Sequence, residues 1–204
     1  MQRIVLASNN AAKAEELRAL LVGLPLEIIT QAELQMPSVE ETAQTFVENA
    51  ILKARHATTF SGQAAIADDS GLEVDALSSA PGIFSARYAG TDATDAANNS
   101  KLLTALRGVP EKQRNARFQC VVVYLRHALD PMPLICTGTW HGRILYAPRG
   151  TNGFGYDPLF YVPSHRCASA ELPPAIKNRI SHRARALRRL TRLLKRNFAC
   201  NDGV

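Results

Sequence analysis

The sequence predicts an α/β protein built on a mixed β-sheet that is flanked by helices. Short apolar runs alternate with helical patterns over the first third of the chain, as in strands that are joined by helices. Two long β-type runs follow, separated by Asp130-Pro131-Met132-Pro133, which is typical of an antiparallel pair. The chain has 204 residues, of which 46% are hydrophobic and 21% charged, so it can bury a core as one globular domain.

The first part of the chain is predicted to alternate between strands and helices. We expect strands over residues 3–7, 26–30 and 64–67, and helices over residues 11–22 and 45–60. Leu17, Leu20 and Leu21 support the first helix, because they recur at helical spacing. Gly71 is expected to make a turn, after which residues 72–77 continue as a strand.

The second part of the chain is predicted to hold an antiparallel pair and a terminal helix. We expect a loop at Pro81-Gly82, a helix over residues 95–106, strands over 117–125, 134–140 and 159–162, and a helix from 181 to about 196. A glycine-rich loop over residues 150–158 precedes the last strand. Leucines at positions 187, 190, 193 and 194 form the apolar stripe of the last helix.

The net charge of +6 comes from one segment of the chain. Nine of the 24 lysine and arginine side chains lie between Lys177 and Arg196, and residues 1–176 carry a net charge of −2. A nucleic-acid-binding protein more often spreads basic side chains over its fold, so we expect no nucleic-acid partner. No apolar run reaches 18 residues and the four cysteines are far apart, so we expect no membrane span, no zinc site and a cytoplasmic location.

The most informative motif is the pair Asp68-Asp69. The pair follows the apolar run 64–67, so two adjacent carboxylates are expected at the end of a strand. Adjacent carboxylates repel each other, whereas Mg²⁺ prefers oxygen ligands and can orient water against a phosphate. The alternative is a surface turn, because Asp, Ser and Gly are common turn residues.

A polar turn connects the first strand to the first helix. It reads Ser8-Asn9-Asn10-Ala11-Ala12-Lys13. Backbone N–H groups at a helix start favour an anion, and Lys13 adds a positive charge. The side chains of Ser8, Asn9 and Asn10 can donate to phosphate or ribose oxygens, although Asn10 could serve only as a helix cap.

An acidic loop and a lysine could complete such a site. Glu40 and Glu41 could join the aspartates around a metal, while Lys53 faces a phosphate. The alternative is a solvated loop beside a solvated helix face.

Two later segments are candidates for binding the rest of a ligand. In Gly153-Phe154-Gly155-Tyr156-Asp157-Pro158, the glycines allow the backbone to approach a flat ligand, on which an aromatic ring could stack. The alternative is a tight turn whose aromatic residue is anchored in the core. Ser181 is a natural N-cap, and His182 and Arg183 follow in the first helical turn, where positive charge opposes the helix dipole.

Together these motifs resemble the inosine triphosphate pyrophosphatase family, whose members hydrolyse non-standard purine nucleoside triphosphates. The resemblance rests on Ser8-Asn9-Asn10-x-x-Lys13, Asn49 with Lys53, Asp68-Asp69-Ser70-Gly71-Leu72, Ser85-Ala86-Arg87-Tyr88, Gly153-Phe154-Gly155-Tyr156-Asp157-Pro158 and Ser181-His182-Arg183. It covers the chain from Arg3 to about Leu194. Ser8-Asn9-Asn10 stands where the family usually has Thr-Gly-Asn.

The resemblance implies a fold, an activity and a set of site residues. The fold would be an elongated mixed sheet flanked by helices, with two lobes around a long cleft, in one domain over residues 1–204 that ends in a flexible tail and forms a homodimer. The reaction would be Mg²⁺-dependent hydrolysis of ITP, dITP and XTP to the monophosphate and pyrophosphate. Asp69 would match the general base and a metal ligand, and Asp68 with Glu40 or Glu41 would complete the metal site. The substrate-binding positions would be Ser8, Asn9, Asn10, Ala11, Ala12, Lys13, Lys53, Ser70, Phe154, Gly155, Tyr156, Asp157, Lys177, His182 and Arg183.

Two other functions stay open at this point. A related pyrophosphatase for pyrimidine or modified nucleotides would prefer UTP or dTTP to ITP. A nucleic-acid-binding protein would use the arginine-rich C-terminal helix, and its affinity would fall steeply with salt. The second alternative leaves Asp68-Asp69 and the glycine-rich loop unexplained.

Overall fold

The computed structural model describes residues 1–9 and 11–201, over which the chain forms seven strands and five α-helices. The elements are β1 Gln2–Leu6, α1 Ala11–Leu20, β2 Leu26–Thr30, α2 Phe46–Ser61, β3 Ala64–Val74, α3 Asp95–Ala105, β4 Asn115–Leu125, β5 Leu134–Ile144, β6 Phe160–Val162, β7 Cys167–Ala168, α4 Pro174–Ile180 and α5 His182–Asn201. Short 3₁₀ helices lie at Asp75–Leu77, Gly82–Arg87, Glu111–Gln113 and Ser169–Glu171. Asn10 and residues 202–204, which include the end of the predicted tail, lie outside the described residues.

The seven strands form one mixed sheet in the order β2-β1-β3-β4-β5-β6-β7, which confirms the predicted α/β class. β1 runs parallel to β2 and β3, whereas β6 is antiparallel to β5 and β7. Leu6 pairs with both Thr30 and Ile66, so β1 and β2 end at the same level of the sheet. The residues that follow these two strands therefore lie close together.

The path of β3 differs from the prediction. The expectation that a strand ends at Ala67 and turns at Gly71 is wrong, because β3 continues through Gly71 to Val74. Leu72 and Val74 are fully buried, and the Leu72 N–H donates to Ser85 Oγ at 2.8 Å. Burial of these apolar side chains holds the chain extended, and it outweighs the local turn preference of Ser and Gly.

Two short elements near the C-terminus were not predicted from the sequence. α4 covers Pro174–Ile180 and has proline at its first position, which is a helix-start signal. β7 has only two residues, Cys167 and Ala168, which is too short to produce a recognisable alternation. α5 begins at His182, directly after Ser181, as predicted.

One compact unit comprises Met1–Asp69, Cys120–Gly138 and the chain from Arg183 onward. Side chains alternate between the two faces of its strands, so neighbouring residues enter different cores. On one face, Ile4, Leu6 and Ile66 share a cluster with buried residues of α1 and α5. On the other face, Val5 and Ala65 share a cluster with three alanines of α2, at positions 50, 54 and 57.

The second unit comprises Ser70–Gln119 and Thr139–His182, and it has an aromatic core. The ring of Phe118 lies 4.5 Å from that of Phe160 and 4.8 Å from that of His182, centroid to centroid. Leu102 of α3 and Leu172 belong to the same cluster.

Arg114 is a buried cation in the second unit, with only 2% of its surface exposed. Its Nε donates to Ile144 O at 2.8 Å, Nη1 to Leu106 O at 3.0 Å and Nη2 to Leu145 O at 2.9 Å. Burial lowers the pKa of Arg114 from its ordinary value, and the guanidinium nevertheless remains charged at neutral pH. One side chain thus joins the end of α3 to the end of β5.

In the part of the chain that the structure describes, no helix is both long and apolar enough to cross a membrane.

We expect Arg114→Met to lower the free energy of unfolding by about 2–3 kcal/mol, because the carbonyls of Ile144 and Leu145 lose the guanidinium donor, whereas Leu106 O keeps the Val109 N–H. Urea unfolding at pH 7 measures this change. The matched control is Arg107→Met, since Arg107 is exposed and lies near Arg114 in sequence. We expect that control to stay within about 0.5 kcal/mol of the parent. Equal losses in the two variants would contradict the prediction.

Candidate active site

Asp68 and Asp69 are neighbours in β3, so their side chains point to opposite faces of the sheet. Asp68 Oδ2 accepts from Lys13 Nζ of α1 at 2.8 Å. Asp69 Oδ1 lies 3.4 Å from Lys53 Nζ of α2. The strand therefore supplies one carboxylate to each face, and a separate lysine neutralises each carboxylate.

The carboxylate of Asp68 is enclosed by cations. Its side chain is 3% exposed, and Arg183 Nη2 lies 3.9 Å from Oδ1. The Arg183 Nε is also 3.6 Å from Glu16 Oε2. Burial opposes ionisation of Asp68, but Lys13 and Arg183 outweigh it and hold the pKa of Asp68 well below its usual range. Asp68 is therefore ionised at neutral pH and is a weak base.

Lys53 joins two acidic residues on the other face. Its Nζ donates to Glu41 Oε1 at 2.6 Å as well as to Asp69. Burial alone would lower the pKa of Lys53, but Asp69 and Glu41 outweigh it and raise this pKa above 10.5. Glu41 and Asp69 thus share one ammonium cation.

The acidic loop is anchored to α2 on both sides of Glu41. The Ala43 N–H donates to Asn49 Oδ1 at 3.0 Å, and His56 Nε2 is hydrogen-bonded to Pro37 O at 2.8 Å. Glu41 is half-buried by this arrangement, whereas Glu40 is exposed. Of the two glutamates that the sequence offered as alternatives, Glu41 is the one that enters the site.

A polar cavity of about 210 Å³ brings the two N-terminal motifs together. Its lining residues are Ala7, Ser8, Asn9, Lys13, Gln31, Ser38, Val39, Glu41, Lys53, His56 and Asp68. Asp69 reaches this cluster through its contact with Lys53. Two lysines beside hydroxyl and amide groups form a cavity suited to an anion such as phosphate.

Three polar residues of the lining were not predicted as site residues from the sequence, namely Gln31, Ser38 and His56. Gln31 follows β2, and its N–H donates to Leu6 O at 3.0 Å, so the parallel register of β1 and β2 places it beside Ser8. Gln31 Nε2 then donates to Ser38 Oγ at 3.0 Å. The feature that could have pointed to Gln31 is its place directly after β2, a strand that runs parallel to β1.

Of the four predicted metal ligands, Glu41, Asp68 and Asp69 all lie near the Lys53 ammonium, whereas Glu40 stands apart from them. Among residues 1–9 and 11–201, no three acidic, histidine or cysteine side chains are placed to hold a metal ion. The reason is geometric, because the aspartates lie on opposite faces of β3 and Glu40 points to solvent.

The second unit contains a cluster around Asp157. Lys177 Nζ and Ser169 Oγ donate to the two oxygens of this buried carboxylate, Ser169 at 2.7 Å. The Phe154 N–H donates to Asp157 Oδ2 at 2.9 Å, and Lys177 Nζ lies 4.8 Å from the centre of the Phe154 ring. The Phe154 side chain is 66% exposed, so it is not the core anchor that the alternative interpretation required.

Tyr156 is the core anchor of the same loop. The residue is buried, and its hydroxyl donates to Ser85 O at 2.8 Å. Burial raises the pKa of this hydroxyl well above its ordinary value, which keeps it protonated as a donor. The two aromatic residues of the loop therefore have different roles, one in the core and one at the surface.

The remaining predicted residues fall in several places. Ser70 is half-buried in β3, and His182 stacks on Phe118 in the second unit. Ala11 and Ala12 form the start of α1, which places their backbone in the predicted helix N-terminus. Asn10 lies outside the described residues.

The basic C-terminal helix has a buried and an exposed side. Its leucines at positions 187, 190 and 194 are buried in the core of the first unit. Its arginines at positions 185, 189, 192 and 196 are exposed. The leucine side of α5 is therefore part of the hydrophobic core of the first unit.

A mixed α/β sheet with a lysine-rich cavity at the ends of parallel strands defines a phosphate-binding class of site. Comparison with known proteins makes this specific: the chain belongs to the Ham1 family, whose model matches residues 4–193. This finding confirms the family resemblance inferred from the motifs.

Named relatives and a solved structure match almost the whole chain. A protein of Xanthomonas campestris named dITP/XTP pyrophosphatase is 58% identical over 187 residues, covering 92% of this chain and 94% of that protein. A protein of the same name from Vibrio cholerae is 52% identical over 200 residues, covering 98% and 100%. The structure of a HAM1 protein from Coxiella burnetii matches with a TM-score of 0.92 at 53% identity, covering 96% of this chain and 100% of that chain.

We expect Asp68→Asn to destabilise the protein by about 2–4 kcal/mol at pH 7, because Lys13 and Arg183 lose a buried counter-charge. The pKa of Asp68 in the folded protein lies below its ordinary value of 3.8, so the unfolded chain binds the proton more readily. The stabilisation is therefore complete above about pH 5 and shrinks as the pH falls through 3.8.

Urea unfolding of the parent and Asp68→Asn at pH 7, 5 and 3.5 measures this dependence. Glu27→Gln is the control, because the Arg3–Glu27 pair is exposed and we expect it to contribute less than about 1 kcal/mol. A difference between parent and Asp68→Asn that is constant over the three pH values would rule out the assigned pairing.

Proposed function

We propose that this protein is a nucleoside triphosphate pyrophosphohydrolase that converts ITP, dITP and XTP to the monophosphate and pyrophosphate. Its family membership and the names of its relatives support the reaction. The single observation that carries the proposal is the cavity in which Lys13 and Lys53 lie beside Asp68 and Glu41.

In the proposed reaction, a water oxygen attacks the α-phosphorus in line with the bridging oxygen. The bond from the α-phosphorus to that oxygen breaks, and pyrophosphate leaves. Asp69 takes the proton of the attacking water as general base. The structure supports Asp69 over Asp68, because a carboxylate whose pKa is held well below its usual range accepts protons poorly.

The lysines of the cavity would bind the triphosphate by exchanging partners. Lys13 and Lys53 are neutralised by Asp68, Asp69 and Glu41 in the absence of ligand. Phosphate oxygens are acceptors of the same kind as these carboxylates, so each ammonium group can turn to the ligand without losing a charged partner. Ser8 and Asn9 add uncharged donors at the same cavity.

A magnesium ion fits the donor set on the α2 face of β3. Glu41 and Asp69 are oxygen ligands that already share a cation, the Lys53 ammonium, and hard divalent ions prefer such oxygen ligands. We propose that these two residues hold Mg²⁺, which when bound would neutralise charge on the departing pyrophosphate. Lys53 would then be released toward the phosphates.

Selection of the base would depend on hydrogen-bond donors and an exposed aromatic ring. Phe154 presents its ring to solvent and can stack on a purine. Hypoxanthine and xanthine have an acceptor at O6, where adenine has an amino donor. We propose that donors such as His182 reject ATP, because adenine would leave them without an acceptor.

Two further expectations from the resemblance stay predictions. We propose that the protein is a homodimer, which light scattering coupled to gel filtration would test. We also propose a cytoplasmic location, which follows from the nucleotide substrate.

We expect pyrophosphate release from ITP and XTP to exceed that from GTP, ATP and UTP, and to require Mg²⁺. Asp69→Asn should reduce kcat by about 10²–10⁴-fold, because an amide cannot accept the proton of the attacking water. Measuring pyrophosphate with each triphosphate, with and without Mg²⁺, checks both statements. Preference for UTP would favour the pyrimidine alternative, and an inactive parent enzyme would refute the proposed reaction.

We expect Lys53→Met to bind Mg²⁺ more tightly than the parent, because Glu41 and Asp69 lose their shared ammonium. With 10 mM MgCl₂, taken as about ten times Kd, the melting temperature of this variant should rise by roughly 3–5 °C, while that of the parent rises less. Thermal unfolding without nucleotide measures this independently of catalysis. Arg55→Met, an exposed position on the same helix, is the control. The same shift in all three proteins would place the metal elsewhere.

A further inference from the structure

We propose that Asp95 and Asn99 of α3 are positioning residues for the nucleotide base. They fix the Gly155 peptide and thereby determine where Phe154 presents its exposed ring. This inference rests on the proposed function, in which Phe154 stacks on the purine. It extends that function to two side chains outside the motifs of the family resemblance.

The two side chains bind Gly155 from both sides of the residue. The Gly155 N–H donates to Asp95 Oδ2 at 2.6 Å, and Asn99 Nδ2 donates to Gly155 O at 2.8 Å. Both polar backbone groups of one residue are thus held by a single helix. The bond to the Asp95 carboxylate is charge-assisted, which makes it stronger than a bond between neutral groups.

The geometry of α3 makes this pair of contacts a rigid one. Asp95 and Asn99 are four residues apart, so they lie on the same face of the helix, one turn apart. Thr94 caps the helix, because its hydroxyl accepts from the Ala97 N–H at 3.2 Å. Asp95 is in the first turn, where a negative charge is favourable to the helix dipole.

Gly155 needs external contacts because its own conformation provides little packing. Its φ is +60°, in the left-handed region, and no atom lies within 4 Å of the position that a Cβ would occupy. The two hydrogen bonds from α3 therefore restrain a backbone that no side chain of its own can pack in place. Without Asp95 and Asn99, the glycine would be able to rotate and carry the Phe154 ring with it.

Phe154 is consequently fixed from two directions. On one side, its own N–H is bound by Asp157, which Lys177 and Ser169 hold in turn. On the other side, the next peptide is bound by α3. The ring itself is exposed and contacts Lys177, so its position depends mainly on these backbone contacts and on that cation.

A substitution at Asn99 can separate an effect on the position of the Phe154 loop from an effect on the stability of the protein. Its Oδ1 is buried, and within residues 1–9 and 11–201 it has no hydrogen-bond partner. Replacing Asn99 by Leu removes one donor to the loop but also removes an unsatisfied buried acceptor, so the two effects on folding oppose each other. We expect the melting temperature of Asn99→Leu to stay within about 3 °C of the parent.

Steady-state kinetics of pyrophosphate release from ITP test the inference. We expect KM to rise about 5–10-fold in Asn99→Leu and at least about 10-fold in Asp95→Ala, while kcat changes by less than about threefold. Asp95→Asn keeps an acceptor oxygen and should restore KM to within about threefold of the parent. Ser100→Ala, at an exposed position of α3, is the matched control.

Amide hydrogen exchange gives a readout that does not depend on catalysis. The Gly155 N–H should exchange faster in Asp95→Ala than in the parent or in Ser100→Ala, because its acceptor is missing. An active parent with unchanged KM in both Asn99→Leu and Asp95→Ala would overturn this inference alone. An inactive parent would overturn the proposed function and this inference with it. A KM rise that Asp95→Asn fails to restore would also count against positioning.

Discussion

The candidate site depends on one constraint, which is that neighbouring side chains of an extended strand point in opposite directions. Asp68 and Asp69 are adjacent in β3, so their carboxylates point to opposite faces of the strand. Asp68 is paired with a lysine of α1 and Asp69 with a lysine of α2, and the second lysine also attracts Asp68. The two helices are needed for this arrangement as well as for covering the sheet. Both aspartates lie inside β3, which continues beyond them to Val74, so the alternation holds at their positions.

Most of the regular elements could be predicted from periodicity, whereas the path of the chain at Gly71 could not. Asp, Ser and Gly indicate a turn in any local interpretation, and only burial of Leu72 and Val74 keeps the strand extended. Some residues of the candidate site could not be predicted either, because their position depends on contacts between distant parts of the chain. Lys13 and Lys53 were recognised because they belong to spaced motifs, but Gln31 was missed. Its position beside Ser8 follows from the pairing of β1 with β2, which a single sequence does not contain.

The two glycines of the glycine-rich loop have structural reasons that the sequence did not suggest. The sequence suggested that both glycines allow a ligand to approach the backbone. At Gly153 the structure gives a different cause, because a Cβ there would lie closer than 3.0 Å to the Asp157 carboxylate. Gly155 has open space around it and is required only by its backbone conformation. Gly153, with its φ at +81°, thus meets a conformational as well as a steric demand, whereas Gly155 meets the conformational one alone.

The bonds of Arg114 also bear on the order in which the second unit folds during synthesis. Two of its acceptors belong to residues 30 and 31 positions further along the chain. While the ribosome has not yet released those residues, the guanidinium has only water and the end of α3 to bind. Burying a cation without acceptors is costly, so we expect the guanidinium to stay hydrated at that stage. The core around Arg114 is therefore completed only after β5 has been made, and a nascent chain that stops before Ile144 keeps this charge in water.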